Sequence, residues 1–336
     1  MLMSESIRSI LIRLLLVAAI SAIFASCKKD DNPVKFTDGT FPDTLINLGG
    51  LNSAYDDYNA DPYVLYGNTA LVFSSNRKSS GGQFDIEQGI ITYDFDLTNG
   101  SFLLRSELTN DGFTAKLIAQ AITSGNDFGP YRFFSTVDGY EYFILSSVNE
   151  DGNLDLFYLR NTPVYGSNTP EITGPKPVTL LNTSSDDAYL SFDSNMDSAY
   201  FTSSRNGDFD IFLSKMLADK PLSEMFGMNF LNSSRPDSIN STEDDKCPFI
   251  HKGVMVFASN RLGGLGGYDL YYSVFKNGKW NSPVNFGPKI NTSYDEYRPV
   301  LGSVQDFTNS FMIFSSDRPG GKGGFDLYFM GLELPE

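Results

Sequence analysis

The feature that most narrows the fold of this chain is that it repeats itself. Four segments share one pattern: Phe73-Ser-Ser-Asn-Arg77, Phe201-Thr-Ser-Ser-Arg205, Phe257-Ala-Ser-Asn-Arg261 and Phe314-Ser-Ser-Asp-Arg318. A glycine-containing turn follows each, and then an aromatic–Asp–aliphatic step: Phe84-Asp85-Ile86, Phe209-Asp210-Ile211, Tyr268-Asp269-Leu270 and Phe325-Asp326-Leu327. A diverged fifth copy, Ile144-Leu-Ser-Ser-Val-Asn149, precedes Leu154-Asp155-Leu156. Equivalent positions 77, 149, 205, 261 and 318 lie 72, 56, 56 and 57 residues apart. The runs between them, such as Val254-Met-Val-Phe-Ala258, are strand-length and bounded by Gly and Asn, which leaves no room for crossover helices. A unit of about four strands recurring every 50–60 residues is a propeller blade. The expected fold is therefore an all-β, five-bladed β-propeller over residues 40–336. The extra stretch in the first interval, residues 93–121, is too short to make a sixth blade.

A propeller must close. The last copy stops at Glu336, just after its third strand, while Phe41-Pro-Asp-Thr-Leu-Ile-Asn-Leu-Gly49 matches Ser282-Pro-Val-Asn-Phe-Gly287 ahead of that copy. The N-terminal segment is thus expected to supply the outer strand of the fifth blade, which leaves only short protected edges.

The segment Ser259-Asn-Arg-Leu-Gly-Gly-Leu-Gly-Gly-Tyr-Asp-Leu-Tyr271 resembles the TolB-like (WD40-like) β-propeller repeat of Gram-negative cell-envelope proteins. The resemblance covers residues 40–336. It implies a propeller with a docking role, although the six blades of TolB itself do not fit here.

The first residues read as an address. Arg8 and Arg13 precede an apolar run from Leu14 to Phe24, and Ala25-Ser26-Cys27 follows. This is the layout of a secretory signal, residues 1–26, too short to span a bilayer. The small residues before Cys27 resemble a bacterial lipobox, which implies lipidation of Cys27. Residues 27–39 are polar and aperiodic, a flexible tether. Lys29-Asp30-Asp31 resembles the acidic export signal of surface-displayed lipoproteins. The expected location is the outer membrane, on its surface-exposed or periplasmic face, with the membrane reached through the lipid alone. Cys247 is then the remaining thiol, and no intramolecular disulfide can form.

With 41 Asp+Glu against 25 Lys+Arg, the chain lacks the clustered cations that nucleic acid demands. One His and two Cys do not make a Cys/His zinc site. A catalytic triad would have to run through His251, which reads instead as a structural residue of the fourth blade. The Gly-rich turns join strands and carry no Gly-Lys-Ser/Thr step, so they are not phosphate loops.

Upstream of each copy runs Asn-x-x-x-Asp-Asp/Glu. Blade 2 lacks both the Arg (Asn149) and the first carboxylate (Asn126), a joint loss that suggests a buried ion pair. The expected pairs are Asp56–Arg77, Asp186–Arg205, Asp244–Arg261 and Asp295–Arg318. The second carboxylates, Asp57, Asp127, Asp187, Asp245 and Glu296, occur in all five blades. They are either a ring at one channel mouth, binding Ca²⁺ or a cationic peptide, or hydrogen-bonded latches between blades. The latch is favoured, because a residue that every blade needs is usually architecture. Trp280 is expected to pack between blades, and Asp219–Phe226 to form a short helix after an Asp cap.

These residues favour a non-catalytic module that binds a cell-envelope protein or glycan, with no cofactor other than the candidate Ca²⁺. The alternative is a carbohydrate-active hydrolase, which needs two carboxylates of contrasting proton affinity. The acids outside the repeat, among them Glu87, Glu141, Asp193 and Asp197, form no recognisable motif.

Overall fold

A computed structural model describes residues 34–335 apart from 66–67, 111, 162–170, 218–219 and 230–232. The signal segment, Cys27 and most of the tether lie outside the described residues. The chain forms a five-bladed β-propeller. Its innermost strands are Asp57–Leu65, Asp127–Phe134, Asp187–Phe192, Asp245–His251 and Glu296–Ser303, one per blade. Each begins at the predicted second carboxylate. Each pairs antiparallel with a second strand that ends at the Ser of the Ser-x-Arg step (one residue later, at Val148, in blade 2), and that strand pairs with a third that begins at the Asp of the aromatic–Asp step (one residue earlier, at Leu154, in blade 2).

The second strands are continuous apolar runs, as in Phe311-Met-Ile-Phe314, because neighbouring blades cover both of their faces. Alternation is the mark of a half-exposed strand, and here neither face is wet. Blade 1 adds Phe102–Leu108 as its outer strand, and the helix Gly112–Ala121 then fills the rest of the insertion, burying Leu117, Ile118 and Ala121. In blade 3 the short helix is Leu222–Phe226. It follows Pro221 without a side-chain cap, which corrects the expected Asp cap; Asp219 lies outside the described residues.

The ends of the ring meet as expected. Ile46 and Asn47 pair with Phe329 and Tyr328, adding an antiparallel fourth strand to blade 5. Asn309 locks the seam, its Nδ2 donating to the Phe41 carbonyl and its Oδ1 accepting the Phe41 N–H, both at 2.9 Å. Phe41 is 1% exposed, stacked 3.9 Å from Phe307 and edge-on to Tyr93, Phe102, Phe311 and Phe329. Trp280 is buried across the seam between blades 3 and 4, as expected, with its Nε1 donating to the Tyr200 hydroxyl at 3.0 Å.

Candidate functional site

The repeated residues form the scaffold on the face where the innermost strands begin. Each Arg pairs with the second carboxylate, not the first: Arg77 with Asp57, Arg205 with Asp187 at 2.7 Å, Arg261 with Asp245, and Arg318 with Glu296 at 2.9 Å. This corrects the expected pairs with Asp56, Asp186, Asp244 and Asp295. Each guanidinium also donates to the Ser at the end of the second strand and to a carbonyl just upstream of the pair, as Arg261 does to Ser259 and Ile239. The second carboxylates are fully buried, and each also accepts an N–H from the turn before its strand. In blade 2, where Asn149 stands in place of the repeat Arg, Asp127 is held by Thr123 and Ser147, and burial pushes its carboxyl above the usual range.

The latch belongs to the first position. Asp56, Asp186, Asp244 and Asp295 each accept the backbone N–H of the aromatic residue (Leu154 in blade 2) of the preceding blade, at 2.7–3.0 Å. Asn126 does the same for Phe84 at 2.9 Å. In blades 4 and 5 the approach requires the glycine before the aromatic residue: a Cβ on Gly267 would lie 2.1 Å from Asp295 Oδ1, and one on Gly324 2.2 Å from Asp56 Oδ1. Asn52, Asn182, Asn240 and Asn291 complete the seam, each bonding both backbone groups of the aliphatic residue that follows, as Asn291 does at Leu270. Asp57, Asp127, Asp187, Asp245 and Glu296 are therefore engaged inside their own blades and do not converge as ligands. Among the described residues no group of three or more His, Cys, Asp or Glu is disposed to hold a metal.

His251 is likewise structural. Its Nε2 lies 2.8 Å from Ser303 Oγ of the next blade, and burial lowers its proton affinity to about 4.

The symmetry breaks on the opposite face, at the seam of blades 3 and 4. A cleft of about 300 Å³ opens there between the hairpin after Phe192 and the tight turn at Gly253. Asp193 and Asp197 stand on that hairpin, and Tyr200, Phe275 and Trp280 supply aromatic walls. The Asp193 Oδ1 accepts the N–H groups of Asp197 and Ser198 at 3.0 and 3.1 Å. Ser198 Oγ donates to Asp197 at 2.6 Å, and Lys215 Nζ reaches Ser198 at 2.6 Å and Asp197 at 3.5 Å. The two carboxyls share a hydrogen bond, and their environments drive them apart. Burial, then the charge of Asp197, raises the proton affinity of Asp193; the Ser198 hydroxyl, the shared bond and Lys215 lower that of Asp197. Asp193 thus holds a proton more tightly than its neighbour does. Sequence reasoning noted both acids but not their partnership. Their spacing within one hairpin was the available signal, while two of the three aromatic residues, Phe275 and Trp280, come from the next blade.

No family model and no curated protein matches this chain. Solved structures do. A thermostable family-43 glycoside hydrolase superposes with a TM-score of 0.51 at 13% identity, over 83% of this chain and 90% of that one. The catalytic domain of the GH62 α-L-arabinofuranosidase of Coprinopsis cinerea gives 0.52 at 12%, over 88% and 98%. An exo-β-1,3-galactanase of Phanerochaete chrysosporium gives 0.51 at 13%, over 86% and 64%. At such identities the likeness is one of fold, the five-bladed propeller. It also corrects the functional expectation: the matching propellers are glycoside hydrolases, so the preference for a non-catalytic module gives way to the carbohydrate-active alternative.

Proposed function

We propose that this protein is a carbohydrate-active hydrolase of the cell envelope, held at the outer membrane through a lipid on Cys27, that takes its glycan in the cleft between blades 3 and 4. The observation that carries this reading is the Asp193–Asp197 pair beside an aromatic wall. Aromatic faces cover the apolar faces of a sugar ring, and of the two acids beside them Asp193 is the one whose proton affinity is raised, the direction a proton donor needs. Asp193 donates its proton to the glycosidic oxygen, the bond from the anomeric carbon to that oxygen breaks, and the leaving sugar departs as an alcohol. Water then adds to the anomeric carbon and returns a proton to the Asp193 carboxylate. Asp197 stays ionised throughout. Its charge is among the causes that raise the proton affinity of Asp193, and its work is to keep the proton there. The shared fold with an arabinofuranosidase and a galactanase supports a glycan substrate, and the envelope resemblance of the repeat supports the location.

The test is to incubate residues 28–336 with arabino-, xylo- and galacto-oligosaccharides and with envelope polysaccharides, following products by mass spectrometry. Cleavage is expected, and Asp193→Asn should lower it by about 10²–10⁴-fold with an unchanged melting profile. Cleavage that Asp193→Asn leaves intact, or no cleavage of any glycan, overturns the assignment.

A further inference from the structure

Every innermost strand bulges at its third residue, where the register slips and φ turns positive: Asn59 (57°), Gly129 (55°), Tyr189 (56°), Cys247 (58°) and Arg298 (48°). These five residues meet at the propeller axis, as contacts between blades that are not neighbours require. Asn59 Nδ2 of blade 1 lies 3.5 Å from the Tyr189 hydroxyl of blade 3. The Arg298 guanidinium of blade 5 sits 5.4 Å from the Tyr189 ring, and its Nη2 donates to the Pro130 carbonyl of blade 2 at 3.3 Å.

Arg298 is 0% exposed, yet its Nε and Nη1 have no acceptor among the described residues, and no carboxylate lies within 4 Å of it. The carboxylate whose charge reaches it is Asp61, two residues beyond the bulge of blade 1. Asp61 is itself buried and is occupied by the Arg132 N–H at 2.8 Å. Desolvation raises its proton affinity to about 7, so near neutrality it supplies only part of a negative charge. An arginine keeps its charge under these conditions, and an uncompensated buried charge is among the costliest features a fold can carry. The remaining groups at the axis are phenols and a thiol whose protons burial holds in place: Tyr58, Tyr131, Tyr189, Tyr297 and Cys247.

We propose that the axis of the propeller binds a small monovalent inorganic anion of halide size, held by Nε or Nη1 of Arg298. Nε and Nη1 lie on different edges of the guanidinium, each shared with Nη2, so the anion takes one of them and supplies the countercharge that the surrounding side chains do not. Waters would satisfy these donors, and also the unpartnered Asn59 Oδ1, but would leave the charge in place. The charge therefore favours an ion beside Arg298, with Asn59 Oδ1 turned to a water. This inference is independent of the hydrolase reading.

Bromide is the probe. Crystals of the unmutated protein grown in sodium bromide should show anomalous density within about 3.5 Å of Arg298 Nε or Nη1, a hydrogen-bonding distance for a halide. In solution, replacing gluconate by bromide at equal ionic strength should raise the melting temperature by roughly 2–4 °C, and Arg298→Met should abolish that shift. Absence of anomalous density at Arg298, with a water refining in its place, overturns the proposal whether or not Arg298→Met folds. An equal bromide shift in the wild type and in Arg298→Met overturns it as well.

Discussion

The pairing of Arg261 with Asp245 rather than Asp244 can be tested by two mutant cycles run side by side. The Asp245 carboxylate is 0% exposed; it takes the Arg261 guanidinium on one oxygen and the Ser241 N–H and O–H on the other. Arg261→Met leaves Asp245 charged with Ser241 alone. Breaking a buried pair from one side costs about 3–5 kcal/mol, and since 16% of the Arg261 side chain remains accessible to water, the lower end, about 3 kcal/mol, is expected. Asp245→Asn should cost about 2 kcal/mol by leaving the guanidinium short of an acceptor. The double variant should fall below the sum by about 2 kcal/mol, because the second change removes the charge that the first had stranded. Asp244 holds the Phe209 N–H at 3.0 Å, the Tyr268 hydroxyl at 2.5 Å and Lys246 at 3.0 Å. Asp244→Asn combined with Arg261→Met should therefore be additive to within about 0.5 kcal/mol. Equilibrium urea unfolding, followed by the fluorescence of the single Trp280, reads all five variants. A larger coupling for Asp244 than for Asp245, or no coupling in either cycle, would refute the reasoning.

Two further outcomes follow from the fold. Asp61 is raised from 3.8 to about 7, so between those pH values the folded chain holds a proton that the unfolded chain has released. Stability should fall as pH climbs through this window, by about 4 kcal/mol for some three pKa units. Asp61→Asn keeps an acceptor for the Arg132 N–H without ionising and should flatten the dependence; equal urea midpoint differences from the wild type at pH 5 and pH 8 would count against it. Phe41→Ala should cost about 3–5 kcal/mol, and hydrogen exchange should show blade 5 amides, such as those of Phe329 and Gly331, losing protection ahead of blade 3. Uniform loss would argue that the seam is not where the ring opens.

The ring was legible because every blade needs the same parts. The Ser-x-Arg step, the Asn and the two acids recur in the same order in four blades, a glycine turn follows in all five, and closure followed from counting strands. Which of the two adjacent acids meets the Arg was not legible in this way. Successive residues at a strand entrance point to opposite sides, so Asp244 and Asp245 are equivalent in one dimension and separate only in three. The clue drawn from blade 2 misled for a chemical reason. Asn126 had not lost its partner along with the missing Arg, since an amide oxygen accepts the Phe84 N–H as well as a carboxylate does. Asp127, the residue that did lose its Arg, kept its identity because Thr123 and Ser147 hold it. The axis residues were hidden differently. Asn59, Gly129, Tyr189, Cys247 and Arg298 share no chemistry, and only the frame, two residues beyond each second acid, marks them as equivalent.

That contrast indicates where activity belongs on such a scaffold. The entry face is stitched by the same bonds in each blade, and a change there must be matched around a seam. The opposite face carries hairpins free to differ. Blade 3 turns through Asp193-Ser-Asn-Met-Asp197, while blade 4 turns through Lys252-Gly253, with both residues at positive φ. The short turn leaves space beside the longer one, and Trp280, fixed by Tyr200 across the seam, forms the base of that space. A paired acid against an aromatic wall thus arises from two hairpins of unequal length on a rigid ring. Lengthening the Lys252-Gly253 turn should close the cleft while leaving every repeated contact of the ring in place.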